Sequence, residues 1–265
     1  MNSNLTITED HVKELLRAKQ LLENPGLAAK ITNLIGSPIE KGIDSLPKKW
    51  SDKLGKITTN SLLKATNAAV FTMKDKSVKK SSNAMHKTAV AVSGGVGGFF
   101  GLAALAVELP ISTTIMLRSI ADISREHGES IDSIETKMAC LEVFALGGTS
   151  TSDDGTETGY FTIRALLAQS VTETSKFIIE KGVVDEGAPV LLRLITKVAE
   201  RFSVQISEKV AGQAIPFIGA AGGAIINTVF MDHFQDMAKG HFIVRKLERQ
   251  YGQELVKDCY DSIKL

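Results

Sequence analysis

Only two cysteines, Cys140 and Cys259, occur in 265 residues, and neither belongs to a C-x-x-C pair. A zinc site or a disulfide framework is therefore not indicated. No run of alternating β-branched residues is present, and no Asn-Gly or Asp-Gly joins two such runs, which argues against sheet. The recognisable catalytic signatures are missing as well. There is no G-x-S-x-G elbow, no H-E-x-x-H and no G-x-x-x-x-G-K-[ST]. The opening MNSNLTITEDHVKELL has no basic region followed by an apolar core, so no secretory signal is expected. The expected location is the cytoplasm, or the cytoplasmic face of a membrane.

Charge is missing from two long stretches. Residues 88–107 read TAVAVSGGVGGFFGLAALAV, and residues 210–231 read VAGQAIPFIGAAGGAIINTVFM. A soluble amphipathic helix shows charge every few residues on its solvent face, so two such gaps predict helices buried on nearly all sides, in a protein core or in lipid. Both are rich in glycine. Gly94 and Gly98, Gly97 and Gly101, and Gly219 and Gly223 each stand four apart, a spacing that lets another helix backbone approach closely. Glycine costs a helix about 1 kcal/mol relative to alanine, so packing has to require it. Read as a loop, Ser93–Gly98 matches neither phosphate-binding fingerprint, because no lysine and no preceding strand accompany the glycines.

What is present is otherwise ordinary for a globular chain: 43% hydrophobic residues, 23% charged residues and a mean hydropathy of +0.06. Net charge is +1, but residues 41–87 carry eleven lysines against three aspartates, just before the first uncharged stretch. That order suits a basic patch facing anionic lipid, or simply a solvated helix face. The patch has no arginine and no interleaved aromatics, so nucleic acid is not expected as a partner. Trp50, the only tryptophan, is assigned to the core, with a membrane interface as the alternative.

The pattern predicts helices almost throughout: an all-α, multi-helix bundle around two central glycine-rich apolar helices or helical hairpins. Residues 1–36 read as an N-terminal helical extension of the unit 37–265. Thr6-x-x-Glu9 marks a capping box for a helix to Glu23, and Gly36 ends a short helix from Leu27. Ser37-Pro38-x-Glu40 marks another start, and a lysine-rich helix runs from Leu46-Pro47 toward Met73. Glu108-Leu109-Pro110 is expected to break or kink the first apolar helix. Gly128 then closes an amphipathic helix from Ile111, and Ser130 or Ser133 opens the next. Residues 149–159 form a loop. Helices follow at Tyr160–Lys181 and from Pro189 to Ala211, and a last, charged helix begins at Asp232.

Polar residues at the borders of the apolar runs are the candidate functional set: Glu108, Arg118, Glu142, Asp232, His233, Asp236 and His241. Glu108 and Arg118 suggest an ion pair near the proline. Asp232, His233, Asp236 and His241 contain the donor types of a metal site but lack a ligating motif, so no metal and no other cofactor is expected. Cys140 reads as core.

The blocks SGGVGGFFGLAALAVELPISTTIMLRSIADI, LEVFALGG, GYFTIRALLA and IPFIGAAGGAIINTVFMDHFQDMAKGHFIVRKLE, in this order and spacing, resemble the EcsC family of bacterial proteins from about Pro38 to Glu248. The resemblance marks the glycines of 94–101, Glu108, Pro110, Arg118, Glu142, Gly147, Tyr160, Arg164, Pro216, Gly219, Gly223, Asn227, His241, Arg245 and Glu248. It carries over no catalytic residues and no cofactor. Three readings follow. The first is a helical protein associated with the cytoplasmic face of a bacterial membrane, accessory to transport, secretion or envelope processes, with anionic lipid as partner. The second is a soluble adaptor that binds another protein and uses its glycine segments as core. The third is an enzyme whose site gathers Glu108, Arg118, Glu142 and Asp232–His241. The absence of any catalytic motif weighs against the third.

Overall fold

A computed structural model describes residues 6–23, 26–36, 38–44, 46, 50–70, 101–148, 159–181, 188–214 and 219–265. Those residues contain ten α-helices and no strand. They are α1 (Glu9–Glu23), α2 (Leu27–Ile35), α3 (Glu40–Asp44), α4 (Trp50–Ala65), α5 (Gly101–Glu126), α6 (Ile134–Glu142), α7 (Tyr160–Lys181), α8 (Pro189–Ala214), α9 (Gly219–Tyr251) and α10 (Gln253–Ser262). A π-helical turn, Thr66–Val70, follows α4, and a 3₁₀ turn, Val143–Ala145, follows α6. Most of the first glycine-rich stretch, including Gly94, Gly97 and Gly98, lies outside the described residues, as do Ser37, Pro216 and residues 149–158. Gly101 opens α5, Gly219 opens α9, and Gly223 is buried.

The helix ends follow local chemistry. Thr8, rather than Thr6, caps α1 by accepting the His11 amide at 3.4 Å. Gly36 closes α2 in the left-handed region and returns its amide to the Thr32 carbonyl at 2.9 Å. Gly128 performs the same task after α5, and Ser133 rather than Ser130 precedes α6.

Two boundaries differ from the sequence pattern. Pro110 does not end α5, which runs on for sixteen residues to Glu126. Proline removes one hydrogen bond, to the carbonyl of Ala106, at a turn where Ala106 and Val107 are exposed rather than buried. The second uncharged stretch and the charged helix after it are one helix, α9, of 33 residues. Asp232 does not mark an exit from the core. Burial continues through His233, Phe234, Gln235, Met237, His241 and Phe242 as far as Leu247.

α8 and α9 form the centre. α8 meets α2, α3, α4, α7 and α9, while α9 meets α1, α2, α5 and α10. Phe144, Phe202, Phe230 and Phe234 pack where the 3₁₀ turn, α8 and α9 converge, with ring centroids 4.8 to 6.1 Å apart. Trp50 is half-buried against the core and Cys140 is fully buried. α5 and α9 run parallel, because their contacts advance together along both chains: Glu108 with Asn227, Ser119 with Gln235, and Glu129 just beyond α5 with Arg245.

α1 lies so close to α9 that a Cβ on Gly240 would sit 2.6 Å from Leu22 Cγ and 3.0 Å from the Ala18 carbonyl oxygen. Lys246–Glu14 (2.9 Å) and Tyr251–His11 (2.7 Å) pin the same pair of helices. Gly240→Ala is expected to destabilise the protein by about 1 kcal/mol. Overpacking of roughly 1–3 kcal/mol outweighs the helix propensity gain of about 1 kcal/mol. Urea unfolding checks this, and a more stable variant would contradict the close approach.

Candidate functional site

Two helix faces build the main polar cluster. Tyr160 and Arg164 are one turn apart on α7. His241, Arg245 and Glu248 follow at spacings of four and three on α9, so they share a face. Glu142, the last residue of α6, is inserted between them. Arg164 donates both terminal nitrogens to the Glu248 carboxylate, at 2.7 and 3.0 Å, and Nη1 also reaches Tyr160 Oη at 3.2 Å. Tyr160 Oη and His241 Nδ1 are 2.9 Å apart. Arg245 Nε donates to Glu129 Oε1 at 2.9 Å, and Arg249 and Thr136 complete the ring of donors around that carboxylate.

The two carboxyl groups at the ends of this network have opposite environments. Burial works to raise Glu129, but Arg245, Thr136 and Arg249 outweigh it and hold the group below the ordinary carboxylate range. Glu142 is more deeply buried and lacks such donors. Burial pushes it up to about 7 against the pull of Arg164 and Arg245. His241 Nε2 lies 3.9 Å from Glu142 Oε2, beyond hydrogen-bonding range. Burial, with Arg164 and Arg245 adding, holds His241 well below the usual histidine range, so the ring is neutral. The imidazole tautomer sets the direction of the Tyr160–His241 hydrogen bond, and His241 Nε2 is the ring nitrogen that faces Glu142. The cluster opens into a groove of about 430 Å³ between α7, α9 and α10, lined by Glu142, Arg164, Arg245 and Glu248.

A second buried polar site lies at the other end of the α5–α9 pair. Lys209 of α8 donates to both Glu108 oxygens, at 2.9 and 3.0 Å, with its side chain fully buried. Asn227 Nδ2 approaches Glu108 Oε1 at 3.5 Å, Gln213 donates to Asn227 at 3.3 Å, and the Phe230 ring lies 5.1 Å from Lys209 Nζ.

The structure therefore separates the seven polar candidates. Glu142 and His241 belong together. Glu108 pairs with Lys209 rather than with Arg118, whose Nη2 reaches the Ala68 carbonyl at 3.4 Å. Asp236 lies between Lys30 (3.0 Å) and Lys239 (3.6 Å). His233 is buried beside Gly147, where a Cβ would fall 2.7 Å from its Cε1, and burial lowers its pKa to about 3. Asp232 is half-buried on the same helix. Among the described residues, no three His, Cys, Asp or Glu side chains gather as a metal-ligand set. Lys209 and Glu129 were missed in the sequence pattern. Lys209 had a signal, since it continues the buried α8 stripe Phe202, Ile206 at helical spacing. Burial also pushes the Cys140 thiol up to about 12, which makes it an inert core group.

The family model for the EcsC protein family matches residues 9–247, so α1 and α2 fall within it. No curated protein and no solved structure matches the chain.

Glu142 gives a pH signature. Its carboxyl keeps a proton to higher pH in the folded state than in the unfolded one, so ionisation lowers stability as pH rises from about 4.5 to about 7. Glu142→Gln lacks that loss. It is expected to match wild type near the bottom of this window and to exceed it by about 3 kcal/mol above the window. The histidines, which act in the opposite sense on acidification, cancel in the difference. Urea midpoints across the range check this, and a difference that does not change with pH would contradict the raised carboxyl.

Proposed function

The chain belongs to the EcsC protein family, and on that premise we propose that it is a helical protein bound peripherally to the cytoplasmic face of a bacterial membrane, with anionic lipid as its partner. The observation that carries this reading is uncovered apolar surface at one end of the bundle. Val107 is 67% exposed and Ile111 50% exposed on α5, and Ile225 is 47% exposed on α9. α5 and α9 are parallel, so their first turns, which belong to the two uncharged stretches, lie at this same end. Exposed apolar side chains at such an end are poorly served by water and well served by the acyl boundary of a bilayer. The lysine surplus of residues 41–87 supplies attraction to anionic headgroups.

A peripheral position agrees with how α5 is used. Ala104–Glu126 is long and apolar enough to cross a membrane, yet 56% of its apolar window is buried inside the bundle. Glu108 on that helix is already paired with Lys209. Withdrawing α5 into lipid would strand both charges.

The test is flotation of purified protein with vesicles of neutral lipid, alone or mixed with anionic lipid. Wild type is expected to float with the anionic vesicles and to be released by high salt. The paired variant Val107→Glu, Ile111→Glu is expected to bind at least about tenfold more weakly. It should keep its thermal stability, because both positions are surface sites. Wild-type protein that stays in solution at low salt would overturn the proposal.

A further inference from the structure

The groove at Glu142 holds polar groups that the fold leaves unanswered. Arg164, Glu248 and Glu129 have their partners, whereas Arg245 commits only Nε and Nη2, leaving Nη1 without a protein acceptor among the described residues. Glu142 is 6% exposed, lines the groove, and takes no hydrogen bond from a described residue. One wall is apolar. Phe161, Ala165, Ala168 and Val171 form a strip along α7 about 15 Å long. On the α10 side the wall is polar, with Gln253 and Lys257. The cavity volume of about 430 Å³ is that of a small-molecule site.

We propose that this groove binds a monocarboxylate with an unbranched apolar arm, its carboxylate held by Glu142 and Arg245 and its arm laid along α7. The donors that face the floor select an anion. Arg245 Nη1 carries two N–H groups, neither committed to a described residue. Glu142 offers an O–H when protonated. The charges agree. Lining the groove with Glu142 are Arg164 on α7, Arg245 and Glu248 on α9, and Glu254 and Lys257 on α10, with neutral His241 beside it. With Glu142 protonated this set has one positive charge in excess, which one carboxylate neutralises. With Glu142 ionised the excess disappears and the anion meets a like charge. Binding is therefore linked to proton occupancy of Glu142, and a bound carboxylate draws a proton from solution above neutral pH.

Isothermal titration calorimetry of the full chain with sodium decanoate, at about pH 6 and about pH 8 and in two buffers of different ionisation heat, tests this. Binding is expected to be about tenfold tighter at the lower pH, with close to one proton taken up at the higher. Glu142→Gln should bind with no such dependence on pH. Ala168→Trp, which fills the groove from an exposed position, should abolish binding without changing the melting temperature. Decyltrimethylammonium, with the same arm and the opposite charge, should not bind. No heat with decanoate at either pH, equal affinity at both pH values in wild type, or equal binding of the ammonium would each overturn the proposal. Vesicle binding is read at Val107 and Ile111, so failure here leaves the membrane reading to its own test.

Discussion

The architecture depends on one buried ion pair. Lys209 and Glu108 have been withdrawn from water into the seam where α5, α8 and α9 meet, and neither has another opposite charge within salt-bridge reach among the described residues. Two charges in such a place are tolerated only while they face each other. The pair therefore sets the height of α5 against α8. Asn227, reaching Glu108 from α9 with Gln213 behind it, extends the same constraint to the third helix. Apolar packing alone permits a helix to slide by a turn; a buried carboxylate with one matching ammonium does not.

With that register set, the rest of the parallel α5–α9 pair falls into place. One turn after another brings Ser119 to Gln235, and Glu129 to Arg245 and Arg249. α9 thus links two regions of different character. Near Asn227 it holds the buried Glu108–Lys209 pair on its inner side and leaves Ile225 exposed. About 27 Å further along, at Arg245, the same helix forms the floor of a charged groove. A bundle with one rigid shared helix can hold an apolar surface at one end and a polar site at the other without the two competing for residues.

Much of this was legible in the sequence. α7 has the boundaries its pattern predicts, and Gly36 and Gly128 end their helices as left-handed residues because glycine is spaced there after an apolar run. Pro110 did not end its helix, because the exposed turn at Ala106 and Val107 leaves the freed carbonyl away from the core, and that exposure is not written locally. Asp232 was misleading in a similar way. A charged residue signals solvent unless tertiary structure supplies a partner, and Lys30 for Asp236 or Glu129 for Arg245 come from far along the chain. The polar cluster was half visible. Arg245 and Glu248 entered only through the family resemblance, although they stand four and seven residues after His241 on one helix face, and nothing local says that Glu142 and Tyr160 fold back against them. Lys209 shows the opposite error, a charge on an apolar stripe that spacing alone would have placed in the core.

The most direct test of this account is a double-mutant cycle at Glu108 and Lys209, read by urea unfolding. Lys209→Met alone leaves a buried carboxylate uncompensated, and a loss of roughly 3–5 kcal/mol is expected. Adding Glu108→Gln removes the stranded charge, and the pair of substitutions is expected to recover most of that loss. Single substitutions that cost less than about 1 kcal/mol, or two effects that simply add, would mean that the ion pair does not set the register of the central helices.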